Sequence, residues 1–537
     1  MRRTEHPLVR PPGGDPSPAR SHRARWILGG LACLALLAHA LFYLNQTCDD
    51  VFISLRYARN LAAGDGLVFN PGLRDEGYSN LAWVLLLALG ARLGAEPLIM
   101  AKLLSLAAAA GVALLLCLPE RAQAGARGGP GSFEPPLAAW LLALSPHFCF
   151  WSAAGLETAF FALLCLGLVL LVGRPEPTRG ARLGAPALAA LAAWTRPEGA
   201  LLGLLAATHE LARGPAPRRR QALALAASAL GAVGAQTLFR LAYYGELVPN
   251  PYRSKVEGIP FSTAAAIGIH YVRVALGEAG GLLLGPLALC ALLLRGRERL
   301  PTLAATLLVG YTGLFTIPAG GDYMRGGRFL VPVLPLLFLL AERGAAALAG
   351  RAGLLPDRRR AFGFALSLAC LALLLGADPI PRSASFYETR SLAPRNAHRR
   401  VAAWLAEHAA PTESALLSEM GIIPYYSTLR YYDTWGLVDR RAYRSGSREL
   451  DHGRLIELDA GLAVLTTVRG SEGRRAPDRT LLAARWFHLL YEEVARFPIL
   501  RDEDEESSRY YLYSPTTRPD EIEFVIFRRR AARRGAG

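Results

Sequence analysis

The sequence predicts a polytopic α-helical membrane protein of about eleven spans with a C-terminal extracytoplasmic α/β domain. Three observations carry that prediction. Apolar residues fill 52% of the 537 positions and Asp, Glu, Lys and Arg only 19%, too apolar a balance for a soluble globular chain. Windows long enough to cross a hydrocarbon layer recur through residues 26–377. From residue 378 the pattern changes: charges become frequent and apolar residues come in short bursts.

The formal net charge of +16 is large, but the basic residues lie in short clusters between apolar segments. That is the positive-inside pattern of a membrane protein, and no basic-aromatic surface offers a nucleic acid a track. None of the seven cysteines lies after Cys370 and six sit in apolar runs, so no disulfide framework or thiolate metal site is implied. Residues 1–25 read as a disordered cytoplasmic N-terminus rich in Pro, Arg and Gly. No small-residue cleavage site follows the first span, which is expected to stay as an anchor.

Span one covers 26–44, and Arg20, Arg23 and Arg25 before it place the N-terminus in the cytoplasm. A large external loop, 45–97, follows. Within it, 81–91 is apolar but too short to cross, which predicts a surface or re-entrant helix. Further spans are expected at 98–118, at 137–150 and at 153–173, the last two enclosing an outward turn at Trp151–Glu157. Residues 184–209 carry basic clusters on both flanks and are interrupted by Pro197, which disfavours helix at the residue before it. Two short helices meeting at an outward or membrane-buried apex keep both flanks inside.

A span at 221–241 leads to an external loop, Tyr243–Gly258, and a helix to about 276 lying along the membrane. Spans at 279–294, 301–318, 329–348 and 361–377 complete the set, with 319–328 outside. In the domain 378–537, HRRVAAWLAEHA and RWFHLLYEEVARF have helical periodicity. SALLSEM, GLAVLTTV, RYYLY and EIEFVIFRR read as strands.

Charges at a membrane edge are costly, so each outer cluster is a site candidate. The paired acids Asp49 and Asp50 come first, although a plain outer cap of span one is the competing reading for Asp49. Arg56 and Arg59 follow them, then Glu76, Tyr78 and Asn80 beside Asp75. Glu157 lies in the next outer turn, with a helix-capping acid as its plain alternative. Arg196 and Glu198 flank the helix break, where they also suit a structural ion pair. Asn250, Tyr252 and Lys255, and then Asp322, Arg325 and Arg328, complete the outer set. Carboxylates beside arginines suit an anionic lipid-linked substrate attacked by a neutral hydroxyl. One carboxylate takes the hydroxyl proton and the arginines stabilise the departing phosphate. No P-loop or dinucleotide fingerprint is present, which disfavours a cytoplasmic nucleotide-sugar donor.

These blocks resemble a known group. DDVFISLRYARNLAAGDGLVFNPG, EGYSN, GLET, TRPEG, LVPNPY, GGDYMRGGRFLVP and IIPYYSTLRYYDTWGLVD are similar to those of the GT-C superfamily, nearest its actinobacterial terminal arabinofuranosyltransferase branch. The resemblance implies an enzyme that moves a sugar, such as arabinofuranose, from a polyprenyl-phosphate donor, inverting the anomeric centre. The acceptor would be a cell-envelope glycan, glycolipid or protein outside the bacterial inner membrane. It implies Asp49 or Asp50 as the general base; Asp50 is preferred because Asp49 also suits a cap of span one. Some members hold a divalent ion near the corresponding acids, here Asp50 and Glu157, and others need none. The competing class is a transporter or flippase of lipid-linked sugars, which calls for polar groups near mid-membrane. The C-terminal domain, with Tyr425, Tyr426, Tyr431 and Tyr432, is expected to contact the acceptor.

Overall fold

The computed structural model describes residues 18–45, 47–118, 136–174, 176–214, 218–255, 259–295, 298–322, 324, 326–353, 396–444, 449–468, 472–473, 475–499 and 522–530. The expected span at 361–377, the strand RYYLY and Arg325 lie outside the described residues. Helix α1 (Pro18–Phe42) begins inside the stretch expected to be disordered. It is followed by α2 (Asp49–Ala63), α3 (Leu81–Arg92) and α4 (Pro97–Cys117).

Asp49 and Asp50 are the first two residues of α2, so they do not cap the first span. Carboxylates in a first helical turn are favoured by the positive end of the helix dipole. At the other end Gly64 adopts φ 95, where its N–H reaches the Asn60 and Leu61 carbonyls and stops the helix. Asn60 Nδ2 donates to the Val68 and Phe69 carbonyls, 2.9 Å each, and folds the loop back along α2. Helix α2 is buried on nearly all sides, from Val51 to Asn60.

Pro146 divides the next segment into α5 (Leu137–Leu144) and α6 (Pro146–Ala153). After the turn at Gly155, φ 87, α7 (Thr158–Val172) leaves at 119° to α6. The break at TRPEG separates α8 (Arg179–Thr195) from α9 (Gly199–Arg213). A Cβ on Gly203 would lie 3.1 Å from the Ala189 Cβ, so α9 returns antiparallel along α8 as a helical hairpin. Next come α10 (Arg219–Tyr244), α11 (Asn250–Lys255), α12 (Phe261–Glu278) and α13 (Gly281–Arg295), the last two at 92° to each other. Helix α14 (Arg299–Tyr311) loosens into a π turn at Thr312–Thr316, and a short 3₁₀ turn precedes α15 (Leu334–Arg351).

Among the described residues four helices are long and apolar enough to cross a membrane, or six if each bent pair is one span. Among the described residues, α5, α6 and α9 are each shorter than a full crossing, so several of the expected spans are broken helices. Buried ions fasten the helices at the ends away from the acid pair. Arg25 pairs with Glu342 at 2.9 Å and donates to the Cys117 carbonyl at 3.0 Å, tying α1, α4 and α15. Glu342 also accepts from the Ala138 N–H at 2.8 Å. An arginine expected to act only as a topological charge is thus a structural anchor. Lys102 of α4 donates to the Leu44 and Ala153 carbonyls at 2.7 and 2.9 Å, satisfying groups left open where α1 and α6 end.

The C-terminal domain holds α16 (Ala397–His408), β1 (Ser414–Leu417), α17 (Ile422–Tyr426), β2 (Arg430–Asp433), α18 (His452–Glu457) and β3 (Leu462–Val468). Then follow β4 (Glu472–Gly473), α19 (Ala476–Ala483), α20 (Arg485–Leu490), β5 (Tyr491–Pro498) and β6 (Ile522–Arg529). The sheet runs β2-β1-β3-β6-β5, with β4 on β3; β1 is parallel to β2 and β3, and β6 is antiparallel to β3 and β5. RWFHLLYEEVARF is helical only to Leu490, because β6 offers an edge with which Tyr491–Pro498 pairs.

Alternation in β3 sends Ala463 and Leu465 to a separate core with Leu481 and Phe487. Leu462 and Val464 face the other way, into a core continuous with that of the helical region. One face of the sheet is thereby packed towards the helical region. Tyr425 and Tyr426 stack near Phe52 of α2, with centroids at 5.3 and 5.6 Å, and Tyr431 is wholly buried. Of the four tyrosines expected to contact the acceptor, α17 docks Tyr425 and Tyr426 on α2, while Tyr431 and Tyr432 of β2 are buried in the two cores.

Candidate active site

The acid pair lies where α2, the loop 319–330 and the C-terminal domain meet. Cys48, at the start of α2, donates its thiol to Met324 Sδ at 3.3 Å, which brings the loop onto that end of the helix. The loop is braced from below by Trp151 Nε1, which donates to the Gly326 carbonyl at 3.1 Å. Its Arg328 donates to Asp322 at 2.5 Å and lies 3.7 Å from Asp50, over the Trp151 and Phe329 rings. Gly327, at φ 59, makes the turn that aims this arginine back at α2.

A second network begins one helical turn on from Asp50. Ser54 and Asn80 bond each other, and Asn80 Nδ2 donates to Glu157 at 2.8 Å. Glu157 accepts from Arg196 at 2.8 Å, Arg196 also donates to Glu198 at 2.5 Å, and the Tyr311 hydroxyl reaches Glu198 at 3.4 Å. Arg196 and Arg328 each lie 5.6 Å from the Phe329 ring centroid, so one aromatic ring neighbours both guanidinium groups. Asp50, Asn80, Glu157, Arg196, Glu198, Asp322 and Arg328 therefore share one region, as chain order alone would not show. Glu157 sits at the N-cap position of α7 but makes no side-chain cap bond; its oxygens serve Asn80 and Arg196 instead.

Asp49 and Asp50 have different surroundings. Asp49 Oδ1 accepts the Ile422 N–H at 2.8 Å, and a Cβ on Gly421 would collide with the Asp49 carboxylate and carbonyl. Burial, and after it the nearby Glu419, push the Asp49 carboxyl above the usual carboxylate range. Glu419 pairs with Arg475, which also donates to the Ser418 carbonyl at 3.2 Å. Asp50 instead faces Arg328.

Other residues selected from sequence have different places. Arg56 is buried and donates to the carbonyls of Phe69, Pro424 and Leu429, which fixes the C-terminal domain to α2. Arg59 donates to the Tyr425 carbonyl at 3.0 Å and lies over its ring. Glu76 forms a buried two-pronged pair with Arg240 of α10, and its carbonyl accepts the Asn250 N–H at 3.0 Å. Tyr78 packs edge-on against Tyr57 at 5.1 Å. Tyr252 is exposed, and Lys255 ends α11. Arg56, Arg59, Glu76 and Tyr78 thus join elements of the fold.

Several contributors were not selected from sequence. Ser54, Tyr311 and Phe329 lie in apolar or mixed runs that look like ordinary packing. Glu419 and Arg475 belong to the other domain, and only the docking of Ser418–Ile422 brings them near. For a divalent ion, no group of three His, Cys, Asp or Glu side chains converges among the described residues. Glu157 pairs with Arg196 and accepts from Asn80, and Asp322 pairs with Arg328.

Residues 387–513 match the model of a domain of unknown function, DUF8728. The chain is 31% identical over 345 residues to a terminal β-(1→2)-arabinofuranosyltransferase of Mycobacterium tuberculosis, covering 58% of this chain and 53% of the relative. The protein of that name from Corynebacterium glutamicum is 29% identical over 328 residues, covering 54% and 46%. The chain thus spans about half the length of the curated relatives it matches. The crystal structure of ArnT from Cupriavidus metallidurans bound to undecaprenyl phosphate superposes with a TM-score of 0.55 at 12% identity, covering 93% of this chain and 97% of that one. Its apo form gives 0.51 at 14% identity, covering 82% and 92%. In sequence the chain is thus similar to terminal arabinofuranosyltransferases over about half of their length, and in fold it is similar to ArnT.

Proposed function

We propose that the protein is a membrane glycosyltransferase that moves a sugar from a polyprenyl-phosphate donor to a glycan, glycolipid or protein acceptor outside the cytoplasmic membrane. The names of the relatives support a pentofuranose, arabinofuranose, as the sugar. The likeness to a fold seen with undecaprenyl phosphate supports a lipid-linked donor. The observation that carries the reading is the placement of Asp50 across from Arg328, 3.7 Å away, beside a second arginine site at Arg196.

In this reading Asp50 takes the proton of the acceptor hydroxyl as that oxygen attacks the anomeric carbon. The bond between that carbon and the phosphate oxygen breaks on the opposite face, so the configuration inverts. The leaving phosphate carries its own negative charge and needs no proton; Arg328 and Arg196 stabilise it. Asp322 and Glu157 hold those arginines in place. Asp49, already bonded to Ile422, is a positioning residue and not the base.

The test is transfer from decaprenyl-phosphate arabinofuranose to a synthetic arabinofuranose acceptor by the full chain in lipid nanodiscs. Wild type is expected to transfer, and Asp50→Asn to lose about 10²–10⁴ of the rate. Full transfer by Asp50→Asn would sink the assignment of the base.

A further inference from the structure

The C-terminal domain presents one exposed Trp, Tyr or Phe side chain among its described residues, Trp435. Its backbone is held hard. Asp433 Oδ1 accepts the Trp435 N–H at 2.7 Å, and Oδ2 accepts those of Leu437 and Val438 at 2.6 and 2.8 Å. Gly436 follows at φ 75, where a Cβ would press to 2.8 Å on the Tyr443 ring. A buried carboxylate thus serves to fix a loop whose outward product is an indole.

That indole does not stand alone. The Arg475 guanidinium lies 5.6 Å from its ring centroid, donates to the Ser418 carbonyl and pairs with Glu419. The same Ser418–Ile422 loop closes on Asp49 through Gly421 and the Ile422 N–H. An aromatic face, a donor fork and a carboxylate therefore run in sequence up to the acid pair. A sugar ring carries matching features: an apolar C–H face that stacks on an indole, and hydroxyls that accept from Arg and donate to Glu.

We propose that Trp435, Arg475 and Glu419 form an acceptor subsite that holds a sugar ring of a carbohydrate chain beside the Asp49–Asp50 pair. The subsite rests on the transferase reading, since it supplies the ring whose neighbour presents the attacking hydroxyl to Asp50. It assigns acceptor recognition to the C-terminal domain and leaves the lipid-linked donor to the helical region.

Binding of a linear arabinofuranose tetrasaccharide to the full chain in nanodiscs, followed by saturation-transfer NMR, tests this without catalysis. A mannopyranose tetrasaccharide is run in parallel. Wild type is expected to bind one of the two, Trp435→Ala to weaken that binding about tenfold or more, and Trp435→Phe to recover most of it. Unchanged melting of Trp435→Ala separates lost stacking from lost fold. Asp50→Asn is expected to bind as wild type while failing to transfer. Binding by Trp435→Ala equal to wild type, or binding of neither oligosaccharide by wild type, overturns the subsite. Trp435-dependent binding without transfer from any polyprenyl-phosphate sugar keeps the subsite and overturns the transferase reading.

Discussion

Ile422 donates its backbone N–H to Asp49 Oδ1 over 2.8 Å, joining residues 373 positions apart. The bond puts the C-terminal domain directly on the acid pair, and it divides the labour between two adjacent carboxylates. Asp49 holds the domain, and Asp50 faces the arginine of the loop.

The two asparagine variants should therefore differ. Asp49→Asn keeps an oxygen that accepts the Ile422 N–H, so its transfer rate is expected within about tenfold of wild type. Asp50→Asn removes the proposed base and is expected to fall by about 10²–10⁴. Initial rates at saturating donor decide between them, and equal losses would contradict the division.

Gly421 has no room for a side chain, since a Cβ there meets Asp49. Gly421→Ala is expected to cost about 1–3 kcal/mol as overpacking. Thermal unfolding in detergent reads the loss, and limited proteolysis should show the C-terminal domain released more readily. A variant as stable as wild type would show that the loop yields without consequence.

Glu76 and Arg240 are both buried and pair through two contacts. Removing one leaves an uncompensated buried charge, at about 3–5 kcal/mol. Glu76→Ala and Arg240→Ala should each destabilise strongly, while the double variant recovers part of the loss. A double-mutant cycle by chemical denaturation measures this coupling, and purely additive losses would rule out the pair as the anchor.

Burial raises the Asp433 and Asp478 carboxyls to about 7 and that of Asp75 to about 6. Unfolded, each would titrate near 3.9 (about the ordinary Asp value). Between about pH 4 and 7 the native state holds more protons, so unfolding free energy falls as pH rises through that window. The stabilisation is full below about pH 4 and gone above about pH 7. The melting temperature is expected to drop from pH 5 to pH 8, and Asp75→Asn to flatten part of the slope. A flat wild-type profile would show these groups ionised in the fold.

Much was legible from local pattern. The apolar windows determine helices at 23–42, 97–117, 219–244 and 331–351, because hydrocarbon length and backbone bonding leave few alternatives. Pro197 and its flanking charges marked the break that became the α8–α9 hairpin, and the alternation of GLAVLTTV marked β3. Local pattern also named Asp50, Glu157, Arg196 and Arg328, since charge at a membrane edge is rarely idle.

What tertiary structure decided was the partner of each charge. Sequence alone could not tell that Arg56 spends its donors on carbonyls of another domain, that Glu76 finds Arg240, or that Arg25 ties three helices. Its preference for Asp50 rested on Asp49 capping span one, whereas the two acids differ in what packs against them: Ile422 on Asp49 and Arg328 on Asp50. A charge advertises its need for a partner locally, through its desolvation cost, but the partner is chosen by contacts hundreds of residues away.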